Sequence, residues 1–168
     1  QWAAGFARRI AVSYDEAASS FLKKKSVKKE HIAHTGQPIR AAVRRPLRDG
    51  AYEYLHLESD VPTIFIFAGS QGAQRINHAI IQVLPDLLQD YQVIHQVGEA
   101  NMGLVDEVIR PMLQYHIYRH RYKPFGFLNE LAIRMSAGVA YLVIGRAGSS
   151  VFEIAAWGLP SIIIPRTH

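Results

Sequence analysis

The sequence predicts an α/β domain built on an open parallel sheet, and three observations carry that prediction. Short apolar runs rich in β-branched and aromatic residues recur at Thr63–Phe67, 91–95, 140–144 and Ser161–Ile164. Helix-compatible stretches at 74–88, 102–112, 128–136 and Ser150–Trp157 separate them. The clearest runs are continuously apolar rather than alternating, as in strands buried on both faces. Strands that alternate with helices imply parallel crossover connections.

In chain order, residues 1–12 look helical and run into Ile10-Ala11-Val12, a candidate short strand. Residues 15–21 read as a loop or short helix, and Thr35-Gly36-Gln37-Pro38 as a polar turn. Residues 40–62 mix Pro, Gly and charge without a period and read as helix or linker. The stretch 74–88 carries Ile76, Ile80, Val83, Leu84 and Leu87 at helical spacing. His116-Ile117-Tyr118 reads as a short strand. Ser150–Trp157 is a helix that Gly158 closes as a C-cap.

Composition bounds the function. The chain has 168 residues, 49% hydrophobic and 20% charged, which is globular and not disordered. With no Cys it has no disulfide, no thiol nucleophile and no zinc-thiolate site. There is no apolar run of about 18 residues to form a spanning helix, and the start, Gln1-Trp2-Ala3-Ala4, is not a signal peptide. The net charge of +5 is uneven: residues 1–50 hold eleven Lys/Arg against four Asp/Glu. The densest cluster is Lys23, Lys24, Lys25, Lys28 and Lys29. It fits a solvated turn or an anionic lipid surface. The absence of interleaved aromatics argues against stacked single-stranded nucleic acid.

In parallel sheets ligands sit outside the carboxyl ends of the strands, which singles out the following turns. After Thr63–Phe67 comes Ala68-Gly69-Ser70-Gln71-Gly72-Ala73, where glycines admit close backbone approach and a helix N-terminus offers N–H groups to a phosphate. It is neither a dinucleotide fingerprint nor a P-loop. After residues 140–144 comes Gly145-Arg146-Ala147-Gly148-Ser149-Ser150 with Glu153. Arg146 suits an anion, and Glu153 suits the hydroxyls of a sugar diol. The same letters also spell a capping box, Ser150-x-x-Glu153. A third turn, Thr35 to Arg40, ends on a cation. His116 and His120 stand i, i+4 without a third ligand, so no metal site is expected. No nucleophilic triad or carboxylate pair is legible.

Together these segments resemble a known family. Thr35-Gly36-Gln37-Pro38-Ile39-Arg40, then Gly69-Ser70-Gln71-Gly72-Ala73 with Asn77, then His95-Gln96-x-Gly98, then Arg146-Ala147-Gly148 with Glu153-Ile154-Ala155-Ala156-x-Gly158-x-Pro160, then Ile164-Pro165, are similar to the MurG family of glycosyltransferases. The resemblance runs over nearly the whole chain. It departs from the family pattern at Ala68, at Tyr141, where Asp is usual, and in the Arg146-to-Glu153 spacing, one residue short.

The resemblance implies a GT-B fold of two Rossmann-like domains, with residues 1–34 as the tail of the acceptor domain and the join, and 35–168 as most of the C-terminal, UDP-sugar-binding domain. It implies inverting transfer of GlcNAc from UDP-GlcNAc to lipid I to give lipid II, with no cofactor and no metal. This is peptidoglycan and cell-wall synthesis, tied to cell shape, cell cycle and division, at the cytoplasmic face of the bacterial inner membrane. By the same resemblance Arg40, Gly69, Ser70, Gln71, Gly72, Ala73, Leu128, Arg146, Gly148 and Glu153 hold UDP-GlcNAc. Ser70 and its turn take the phosphates, Glu153 the ribose hydroxyls, and the backbone at Leu128 the uracil edge. The base and acceptor loops are expected in the first domain, so the isolated chain is expected to be inactive. Alternatives are another GT-B UDP-sugar enzyme, such as a lipid glycosyltransferase or UDP-GlcNAc epimerase, or a non-catalytic nucleotide-binding module.

Overall fold

The structure, a computed structural model, describes residues 4, 6–67 and 74–165. It divides into two compact units, Gln1–Ile39 and Arg40–His168.

In the first unit, β1 (Ile10–Val12) pairs in parallel with β2 (Ile32–His34), joined through α1 (Asp15–Leu22). Asp15 and Glu16 lie in the first turn of α1, where the helix dipole favours acids. Ala4, Ile10, Val12 and Val27 form its small core. Val27 is buried inside the basic cluster and anchors it, while Lys23, Lys25, Lys28 and Lys29 stay exposed. The helical reading of 1–12 is not met over 6–9, which form a turn and a bend before the strand at Ile10; Ala4 is in a 3-10 turn, and residues 1–3 and 5 lie outside the described residues. Strand β2 is an addition, since three residues ending in His34 give too short a run to signal a strand.

The second unit is a five-stranded, all-parallel sheet in the order β5-β4-β3-β6-β7. Its strands are β3 (Thr63–Phe67), β4 (Gln92–Gln96), β5 (Tyr122–Phe125), β6 (Ala140–Arg146) and β7 (Ser161–Ile164). Helices α3 (Gln74–Asp90), α6 (Glu130–Val139) and α7 (Ser150–Trp157) supply crossovers between them. Every residue of β3 is buried. Phe65 and Phe67 face one apolar layer with Ile133, Val143, Ile154 and Trp157. Ile64 and Ile66 face the other, with Ile80, Leu84, Leu88, Val105 and Ile109. Each fully buried side chain of this kind contributes roughly 1.5–3 kcal/mol.

One expectation here is corrected and another is narrowed. His116-Ile117-Tyr118 is a turn, because the His116 ring closes it: Nδ1 accepts from the Tyr118 N–H (3.2 Å) and Nε2 donates to the Pro85 carbonyl (3.0 Å). The strand follows as β5, an edge strand that tolerates Pro124. Of the two readings of 40–62, helix or linker, the structure takes the helical one in part. The stretch holds the short helix α2 (Ala51–Tyr54), buries Val43, Ala51 and Leu55, and lies on α6. The Leu47 N–H donates to the Arg134 carbonyl (2.9 Å), Arg134 Nε to the Arg45 carbonyl (2.9 Å), and Trp157 Nε1 to the Val43 carbonyl (2.8 Å). The stretch 102–112 is helical as expected, as α4 (Met102–Leu104) and α5 (Arg110–Met112), but Val105–Ile109 between them is a π-helix.

Gly138 permits this packing, because a Cβ there would run into the Leu47 carbonyl. Gly138→Ala is expected to lower stability by about 1–3 kcal/mol, read as a shift of the urea midpoint at unchanged m. An unshifted midpoint would show that the Leu47 segment yields freely.

Candidate functional site

The sheet grows from β3 outward through β4 to β5, then returns to the other side of β3 as β6 and β7. The reversal lies between β3 and β6, whose carboxyl ends meet at the Phe67↔Gly145 register. Open α/β sheets bind ligands in the crevice outside such a reversal. Residues 68–73 leave β3 there, so Gly69, Ser70, Gln71, Gly72 and Ala73 lie outside the described residues.

On the β6 side, Arg146 ends the strand and Ala147-Gly148 lead into α7. Gly145 lets α7 come close, since a Cβ there would stand 2.7 Å from Ile154 Cδ1. This places Glu153, in the first turn of α7 and 8% exposed, beside Arg40. Arg40 Nε donates to Glu153 Oε1 at 2.7 Å and its terminal nitrogen to Oε2 at 3.2 Å. The two residues are 113 positions apart in sequence. Glu153, as hydrogen-bond acceptor, holds the Arg40 pKa above its ordinary value.

The capping box is therefore not formed. Ser149, the residue at the N-cap, already has helical angles (φ −60°, ψ −28°) and makes no side-chain cap. A capping side chain needs extended backbone to reach forward to the helix N–H groups. Ser150 Oγ instead donates back to the Arg146 carbonyl (3.4 Å), and Glu153 is taken by Arg40. Leu128 is a core residue, 1% exposed, whereas the preceding Phe127 is 57% exposed. Of the expected site residues, Arg40 and Glu153 thus meet directly, Arg146 and Gly148 lie in the turn between β6 and α7 of the same unit, and Leu128 is in the apolar layer beneath.

A second set of sequence-marked residues, Asn77 and His95, forms a buried network with Tyr122. Asn77, in the first turns of α3, donates through Nδ2 to the Val97 carbonyl (3.0 Å). Its Oδ1 therefore faces His95 Nε2 (3.1 Å), which must carry the hydrogen. His95 Nδ1 is then the acceptor, and the Tyr122 hydroxyl donates to it (3.0 Å). The network pins the start of α3 to β4 and β5. Burial pushes the His95 pKa down to about 4 and the Tyr122 phenol above its usual range. Tyr122 escaped the sequence reading because β5 was placed too early. Nearby, at the carboxyl end of β4, the buried Gln96 Oε1 has no hydrogen-bond partner among the described residues.

The fold is an open parallel α/β domain whose strand order reverses between β3 and β6, the place where sheets of this kind bind ligands. The profile of the glycosyltransferase family 28 C-terminal domain matches residues 63–168, and the chain belongs to that family. It is 34% identical over 163 residues to the UDP-N-acetylglucosamine–N-acetylmuramyl-(pentapeptide) pyrophosphoryl-undecaprenol N-acetylglucosamine transferase of Treponema denticola, covering 95% of this chain and 40% of that one. It is 33% identical over 170 residues to the protein of the same name from Lactiplantibacillus plantarum, covering 97% and 42%. The chain thus spans about two fifths of the length of these curated relatives. Among solved structures it resembles a glycosyltransferase from Rickettsia africae (TM-score 0.63, 12% identity, 94% of this chain and 44% of that one). It also resembles Acinetobacter baumannii MurG (TM-score 0.56, 18% identity, 95% and 44%). The structural likeness establishes the fold, that of a GT-B C-terminal domain.

His95 sets a pH dependence. Its folded pKa lies below the unfolded value of 6.5, so the stability it contributes is complete above pH 6.5 and is lost as pH falls toward about 4. The loss is on the order of 3 kcal/mol. His95→Gln, which keeps a donor and an acceptor, is expected to flatten the decline of the urea midpoint between pH 7 and 4. Parallel profiles for the two proteins would count against the buried neutral imidazole.

Proposed function

We propose that this chain is the donor-nucleotide part of an inverting glycosyltransferase that moves GlcNAc from UDP-GlcNAc to the 4-hydroxyl of the muramoyl sugar of lipid I, forming lipid II. The observation that carries the reading is the buried, charge-paired Glu153 at the β3/β6 reversal of a family 28 domain. The names of the similar proteins support the substrate pair.

In this reading Glu153 accepts hydrogen bonds from the ribose hydroxyls. Ser70, with Gly69, Gln71, Gly72 and Ala73, holds the diphosphate at the start of α3, where helix N–H groups and the dipole favour an anion. The Phe127–Leu128 peptide meets the uracil edge, and Arg146 and Gly148 border the sugar. The acceptor hydroxyl attacks the anomeric carbon from the face opposite UDP, and the bond to the diphosphate oxygen breaks. The charge left on UDP is stabilised by fixed donors, without a protein-bound metal. The base that takes the hydroxyl proton belongs to the part of the relatives that this chain does not match. The enzyme works at the cytoplasmic face of the inner membrane, with Lys23, Lys25, Lys28 and Lys29 toward anionic lipid. Its product feeds wall growth, and so cell shape and division.

Calorimetric titration of the 168-residue chain is expected to show UDP and UDP-GlcNAc binding at least tenfold tighter than ADP. Ser70→Ala and Glu153→Ala should each weaken UDP by about ten- to a hundredfold, the span of a hydrogen bond involving a charged group. Equal affinity for UDP and ADP, or unchanged affinity in both variants, would overturn the reading.

A further inference from the structure

We propose that the β5 margin of the second unit binds an anionic bilayer, with Tyr115 and Ile117 entering the headgroup layer and a lipid phosphate held by Arg110 and Arg119. This surface is separate from the β3/β6 crevice and from the Lys23–Lys29 cluster, and its role depends on neither.

Between the helical stretch 102–112 and β5 lies an open cavity of about 560 Å³. Its apolar floor is Val105, Ile109, Leu113, Tyr122 and Pro124, and its polar rim is Arg110, Gln114 and Arg119. The exposed Arg110 meets Asp106 at 2.8 Å, one helical turn back. Surface pairs of this kind contribute little, and a phosphate can take the place of the carboxylate. Arg119 Nη1 donates to the Gln114 carbonyl, which fixes the guanidinium beside the cavity.

Apolar side chains continue outward from this cavity. In a regular helix Val108 and Met112 would fall beside Val105 and Ile109 on the buried stripe. Here, at and just past the π-helix, both are exposed. Such π-turns occur often at functional sites. Tyr115 and Ile117 project furthest, 89% and 76% exposed. They stand on the turn that the His116 ring closes against Pro85 and Tyr118, so the fold presents them outward in a fixed arrangement. Exposed apolar side chains grouped beside a cavity and rimmed by polar ones mark a contact surface.

Charge selects what covers it. Residues 110–123 hold four Lys/Arg and no Asp/Glu. Arg121 is engaged by Glu58 and by the Leu88 and Gln89 carbonyls, so the cations at the cavity are Arg110 and Arg119. Such a surface repels a second copy of itself and attracts an anionic one. A tyrosine and aliphatic side chains flanked by arginines suit a lipid interface: the ring sits at headgroup depth, and the guanidinium groups take phosphate oxygens. The margin lies two strands to the side of the β3/β6 reversal, so contact there does not require the crevice to be covered.

Co-sedimentation of the full 168-residue chain with vesicles tests this. Binding to equimolar phosphatidylglycerol–phosphatidylcholine vesicles is expected to exceed that to pure phosphatidylcholine by about tenfold or more. Tyr115→Ser combined with Ile117→Ser should weaken binding to the anionic vesicles by about tenfold. Arg110→Gln combined with Arg119→Gln should weaken it by about ten- to thirtyfold. All four side chains are exposed, so both double variants are expected to keep the near-ultraviolet circular dichroism of the parent. Tyr115→Trp supplies a local readout: its added emission should shift to the blue with anionic vesicles and not with neutral ones. An unshifted emission, or equal binding to neutral vesicles, would overturn the proposal. Undiminished binding in both double variants would overturn it too, and would leave the patch to a protein partner. Replacing Lys23, Lys25, Lys28 and Lys29 by Gln separates the two basic surfaces. If that variant loses all vesicle binding while the double variants at the β5 margin keep theirs, the lipid contact belongs to the lysine cluster and the proposal falls.

Discussion

Strand β3 holds no exposed residue, and its side chains alternate between two apolar layers. Neither face of the sheet is therefore stable until helices cover both. Burying the two faces of one central strand requires the chain to wind one way from it and then the other. Here β4 and β5 extend one side and β6 and β7 the other. The crevice at the carboxyl ends of β3 and β6 follows from that winding rather than from any residue that lines it. The same constraint explains Gly145 and Gly138, which let α7 and the Leu47 segment close onto the layer beneath.

At the crevice the local grammar of the sequence admits two readings. Ser150-x-x-Glu153 has the composition of a helix cap and equally that of an acid offered to a ligand. The fold chooses between them by what it brings alongside. Trp157 holds the Val43 carbonyl, and Arg134 receives Leu47, so the segment that follows Arg40 is tied to α6 and α7. The guanidinium thereby reaches a carboxylate more than a hundred residues away. With Glu153 held by Arg40, α7 starts without a side-chain cap and ends on Gly158 in the left-handed region (φ +67°).

What could be read from the residues follows the strength of the periodic signal. Thr63–Phe67, Ser150–Trp157 and Ser161–Ile164 match the observed bounds because dense apolar runs end at glycine or proline. The 74–88 helix extends only to Asp90. The signal failed where structure depends on long-range contacts. Tyr122–Phe125 contains Lys123 and Pro124 and becomes a strand only by pairing with β4. The turn at 116–118 is set by a histidine ring reaching Pro85. The Arg40–Glu153 pair could not be derived, since no local pattern links residues so far apart. Family resemblance marked both positions without saying that they meet.

The Tyr122–Phe125 edge has a further consequence for the behaviour of the molecule in solution. An unpaired sheet margin offers a row of peptide donors and acceptors to any neighbouring chain. Pro124 has no N–H to offer, and Lys123 would bring its charge into any such junction. The row is thus interrupted at its middle, and this margin is a poor template for sheet-to-sheet stacking. The residues that hid the strand from a reading of the sequence are the ones that keep it from recruiting another copy of itself.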